Sequence, residues 1–119
     1  MNISVLDRLK IELNHKDYFK DEEYTMYLSE NKLTAADTYD KGTMQRNLLF
    51  TIIDILEAVG NDIDLMRKIE DPTTQLSVAE CYKLLEDRIQ KIKDRIATLP
   101  DPDSEDDISN IFMLFTSDR

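Results

Sequence analysis

The chain has 119 residues, 25 of them acidic and 15 basic, giving a formal net charge of -10. That length suits one domain with a single modest core, and an apolar share of 41 % excludes wholesale disorder. The charge argues against direct nucleic-acid binding, because phosphate repels a chain of this sign and its bases lie dispersed among acids.

Glycine occurs twice and proline three times, too seldom for the frequent turns of a sandwich or barrel, so the composition predicts an all-α chain. The lone cysteine, Cys81, has no internal partner and no metal-binding spacing around it, which fits a reducing cytoplasm. Met1–Leu6 lacks the charged and apolar regions of a signal peptide. The longest uncharged stretch, Ile108–Ser117, falls well short of the ~20 residues of a membrane span, so no membrane contact is expected.

Ser4 followed by Asp7 reads as a helix N-cap with an acid in the first turn. Leu6, Leu9 and Leu13 then recur at helical spacing, and Asn14-His15 reads as the stop. A second short helix is predicted from Asp21, whose neighbours Glu22 and Glu23 suit a positive helix N-terminus. Tyr24, Tyr27 and Leu28 form its apolar edge, with Asn31 as a left-handed terminator. Both helices are too short to stand alone.

The third helix is predicted from about Thr43 on the stripe Met44, Leu48, Ile52, Ile55, Leu56 and Val59. Ile63, Met66 and Ile69 continue the stripe with a shift of phase. Gly60-Asn61 could end the helix, but the favoured expectation is one continuous or slightly kinked helix to about Ile69, since a helical glycine costs only about 1 kcal/mol relative to alanine. Asp71-Pro72 ends it.

In the fourth helix Ser77 and Glu80 form a capping box. Val78, Tyr82, Leu85, Ile89, Ile92, Ile96 and Leu99 follow at alternating spacings of four and three, a heptad seam of the kind that builds a helical hairpin or an interface. Full burial of such side chains contributes roughly 1.5–3 kcal/mol each, before the entropic cost of ordering them. The expected architecture is therefore a small bundle of two short and two long helices over residues 1–99. A solvated, proline-containing acidic linker occupies 100–107. An apolar tail fills 108–119. As a helix, the tail would place Ile108, Ile111, Phe112 and Phe115 on one face; as a strand it would alternate Ile111, Met113 and Phe115 against Phe112 and Leu114. Either way such a run needs covering by the bundle or by another chain.

The residues offer little for catalysis. His15 is the only histidine, and it sits between two short helices. Cys81 lies beside the seam and reads as a structural thiol. An all-α, metal-dependent nucleotide hydrolase needs acid pairs on facing helices, and the confident helices supply only Asp54 with Glu57. Neither a cofactor, a metal nor an enzymatic activity is expected. The interface candidates are the seven seam residues and the four on the tail.

Val5-Leu-Asp-Arg-Leu-Lys-Ile-Glu-Leu13, then Asp21-Glu-Glu-Tyr24 and Tyr27-Leu-Ser-Glu-Asn31, resembles the opening of tailed-phage and prophage head–tail connector (adaptor) proteins. These begin with a short "LxxLKxxL"-like helix, a loop, an acidic cap and a second short helix before a long one. The resemblance covers about residues 3–70. Where that family commonly has "AxxYI", this chain has Thr25-Met-Tyr-Leu28. The resemblance implies a virion-assembly subunit of a ring below the portal, located in the virion or the bacterial cytoplasm. Its partners would be copies of itself and other phage assembly proteins. A stand-alone regulatory module dimerising through Val78–Leu99 is the second reading.

Overall fold

The computed structural model describes residues 2–68 and 76–99. It is all-α, with helices α1 (Val5–Glu12), α2 (Asp21–Glu30), α3 (Lys41–Val59), α4 (Ile63–Arg67) and α5 (Val78–Ala97). The described residues contain no strand, only an isolated antiparallel bridge between Ser4 and Thr38. The linker 100–107 and the tail residues Ile108, Ile111, Phe112 and Phe115 lie outside the described residues.

α3 is the hub. The other helices pack on it, α5 most extensively, and α4 also packs on α5. At 3.6 residues per turn, its buried positions from Thr51 through Leu48 and Leu56 to Ile53 sweep roughly 200° of the helix circumference. The apolar stripe legible in the sequence is narrower. Leu49 and Ile53, each at most 7 % exposed, widen it. A helix buried over so wide an arc needs more than one neighbour to cover it, which gives the short helices their place.

The helix ends follow local chemistry. Ser4 Oγ accepts from Asp7 N at 3.1 Å. The free amides at the start of α1 are further satisfied by the loop before α3: Val5 N donates to Asp37 O at 2.8 Å and Leu6 N to Ala35 O at 3.1 Å. α1 stops at Asn14 and His15, both left-handed, with φ of 58° and 57°. At the start of α2, the Lys20 amide donates to Glu23 Oε1 at 3.0 Å. Its left-handed terminator is Lys32 (φ 65°) instead of Asn31. Asn31 stays right-handed because its side chain is engaged elsewhere, with Nδ2 donating to Tyr27 O at 3.0 Å and to Asp54 Oδ2 on α3 at 2.9 Å. The Ser77–Glu80 capping box of α5 is formed, with bonds of 2.9 and 3.1 Å. These bonds to Ser77 hold the Glu80 carboxyl below its ordinary pKa.

The continuous third helix is not formed. α3 ends at Val59 with Gly60 as its C-cap, and α4 restarts at Ile63. The phase shift between the two stripes marks this break. Asp62 begins the new helix, its Oδ1 accepting from Asp64 N at 2.8 Å and Leu65 N at 3.2 Å. Ile69, Asp71 and Pro72 lie outside the described residues.

Two side-chain assemblies hold distant segments together. Glu12, its side chain 17 % exposed, accepts from Arg8 at 2.7 Å and from Arg95 of α5 at 3.2 Å. With the Asn14 amide turned so that its oxygen faces Arg88, that oxygen accepts from both terminal guanidinium nitrogens at 2.9 and 3.0 Å. The second assembly organises the loop between α1 and α2. The buried Tyr24 hydroxyl accepts from the Tyr18 and Phe19 amides at 3.1 and 3.3 Å and donates to Lys16 O at 3.1 Å. Tyr18 is equally buried, yet its hydroxyl has no hydrogen-bond partner among the described residues.

The two phenols should therefore respond oppositely to the same substitution. Tyr24→Phe orphans a buried amide, a part-buried amide and a part-buried carbonyl and is expected to cost about 1–3 kcal/mol in urea unfolding. Tyr18→Phe removes only an unpaired hydroxyl and should leave stability unchanged or slightly raised. Burial pushes the Tyr18 phenol up to about 12 from an ordinary 10.0, and burial also raises Tyr24, Tyr27 and Tyr39. The folded state thus keeps protons that the unfolded chain releases. The associated stability is complete below pH 10 and is lost as pH rises through the folded values. Thermal melts from pH 9 to 12 should show this fall, with a smaller fall in Tyr18→Phe.

Candidate functional site

α5 divides its apolar residues between a buried and an uncovered edge. Cys81, Leu85, Ile92 and Ile96 are buried, while Ile89 and Leu99 are half-buried against the core. Val78 and Tyr82, which the heptad spacing places on the same seam, are 37 % and 46 % exposed. The inward direction at this end of α5 runs through Cys81 instead. A seam repeating every 3.5 residues drifts by about 20° per heptad around a straight helix, so a flat neighbour cannot cover all of it. Leu84, on the other flank, is 37 % exposed.

Beside the uncovered edge, α5 and the end of α3 enclose a groove of about 580 Å³. Its apolar lining is Tyr82, Leu85 and Ile89, and its polar rim includes Glu57, Asn61, Glu86, Asp87 and Lys93. Gly60 lies in its lining close to α5, where a Cβ would stand 3.1 Å from Leu85 Cδ2. Its φ of -65° is ordinary, so the glycine serves close approach, not backbone shape. Glu86, one turn beyond Tyr82, raises the pKa of its phenol through a hydrogen bond. An apolar floor with an acidic rim is suited to holding a segment with large apolar side chains.

The structure disperses the other chemical candidates. His15 is exposed in the turn after α1. Cys81 is fully buried in the core. Asp54 is tied to Asn31 across the α2–α3 contact, whereas Glu57 faces the groove. Among the described residues, no group of three or more histidine, cysteine, aspartate or glutamate side chains could hold a metal ion. Nor is any described helix long and apolar enough to cross a membrane.

Of the sequence-derived candidates, Tyr82, Leu85 and Ile89 line the groove, while Ile92 and Ile96 are core residues. Asn61, Glu86, Gln90 and Lys93 carried no signal of their own, since rim positions are polar like any solvated helix face. Gly60 did carry one, as the only glycine inside an apolar stripe. Comparison of the chain with protein-family models, characterised proteins and solved structures finds no match.

Truncation separates core from groove. Ile92→Ala should destabilise the domain by about 2–5 kcal/mol in chemical denaturation. Tyr82→Ala, at a position exposed among the described residues, should cost well under that, about 1 kcal/mol or less.

Proposed function

We propose that the protein is a structural assembly subunit that works by protein–protein contact, with the uncovered edge of α5 and its groove as the docking surface. The observation that carries this reading is the exposed Tyr82 lining a groove together with Leu85 and Ile89, with exposed Val78 one helical turn before it. Large apolar side chains gathered beside a concavity are what a partner helix or peptide buries. The narrower form of the proposal is a ring subunit like a head–tail connector. It is supported by the resemblance of the first two helices and by the order of two short helices before a long one. The net charge of -10 suits a channel through which a duplex slides without being held.

A second reading, a regulatory module dimerising through α5, draws on the same edge. The two readings differ in mass. A ring gives a multiple of the 13.9 kDa chain well above two, and a module gives two copies. Sedimentation of the full chain across the micromolar range should show the larger species. Val78→Asp with Tyr82→Asp should return it to monomer with unchanged helical circular dichroism. A chain that is monomeric at every concentration overturns the assembly reading, and a dimer alone selects the second one.

A further inference from the structure

The groove has a candidate occupant within the same chain. We propose that in the free subunit the apolar tail, Ile108–Phe115, docks in cis into the groove between α3 and α5 and covers Tyr82 and Ile89. This rests on the groove being a docking surface, as above, but not on the oligomer being a ring.

Reach permits it. α5 ends at Ala97 with Thr98 as its cap, and the residue before Pro100 resists the α region, so the chain must leave the axis of α5 there. Residues 100–107, fully extended, span at most about 29 Å at ~3.6 Å per residue. Measured back along α5 from Leu99, Ile89 lies about 15 Å away and Tyr82 about 25 Å at 1.5 Å per residue. The tether can therefore set Ile108 beside Ile89 and let the apolar run continue toward Tyr82 and Val78.

Charge fixes the direction. The second half of α5 carries exposed Lys91, Lys93 and Arg95 against one exposed acid, Asp94, with Arg95 also paired to Glu12. A chain returning antiparallel to α5 brings its acids past these bases first, at Asp101, Asp103, Glu105, Asp106 and Asp107. Its uncharged residues 108–115 then meet the apolar part of the groove. The opposite direction would set the acids against Glu86 and Asp87. Apolar and charged registers thus agree on one orientation.

A short tether holds the tail at high effective concentration, which favours the cis site in a dilute subunit. Because a neighbouring copy offers an identical groove, exchange of the tail between copies would give assembly at little energetic cost. The docked tail would then both protect the edge of α5 and prepare it for assembly.

The chain has no tryptophan, so Phe112→Trp in the full-length protein is a single reporter. In dilute solution its emission should be blue-shifted, and acrylamide quenching several-fold weaker than in the same chain carrying Tyr82→Glu as well. Lys93→Glu, on the exposed face of α5, should weaken the shielding in part, and added salt should do the same to the parent. Circular dichroism confirms that each variant keeps its helices. Solvent-like emission, or shielding indifferent to both Tyr82→Glu and Lys93→Glu, overturns the proposal. Shielding that develops only as concentration rises overturns the cis placement, showing instead that a second copy's groove takes the tail. A chain that stays monomeric yet shields the reporter upholds the docking while removing the assembly reading.

Discussion

The breadth of the buried arc on α3 governs this fold. Leu48, Ile52 and Val59 require one cover, while Leu49, Ile53 and Leu56 extend the apolar surface around the helix. One neighbour cannot close an arc of roughly 200°. α1 and α2, too short to be helical in isolation, gain their stability by packing here. α5 and α4 supply further cover. Removing α3 would leave the other helices without a common partner, whereas each of them meets only part of the core.

The polar contacts set orientation more than they supply energy. Glu12 joins α1 to α5 through Arg95, and Asn31 joins α2 to α3 through Asp54. Arg95 is 45 % exposed at its side chain, so the ion pair is screened and adds little net stability. Its effect is directional, placing the second half of α5 alongside the end of α1. The Tyr24 hydroxyl acts differently, because it satisfies a buried amide and a part-buried carbonyl of the backbone.

Function, on the reading proposed here, follows from what α3 and its neighbours leave uncovered. α3 ends at Gly60 and α4 restarts at Ile63, and Gly60 stands close to Leu85 in the lining of the groove. Tyr82, the most exposed of the apolar residues on α5, lines that concavity. An acidic rim, an apolar floor and a basic stretch farther along the helix give the surface a direction as well as a place.

The sequence by itself determined the helical class, the first two short helices, and the capping box and span of α5, because each depends on interactions within a few residues. The restart at Asp62 went unread, because Ile63, Met66 and Ile69 carry the apolar stripe onward past Gly60. Tertiary structure alone decided which apolar residues face inward. Val78 and Tyr82 share a heptad phase with Leu85 and Ile92, yet only the latter two meet the core. Periodicity states which side chains lie on one face, not how far a neighbouring helix extends to cover them. The groove depends on the same fact. Glu57, Gly60, Tyr82 and Lys93 come from two helices, and no local pattern encodes their approach. Their juxtaposition arises when α3 stops, α4 turns off, and α5 packs across the gap.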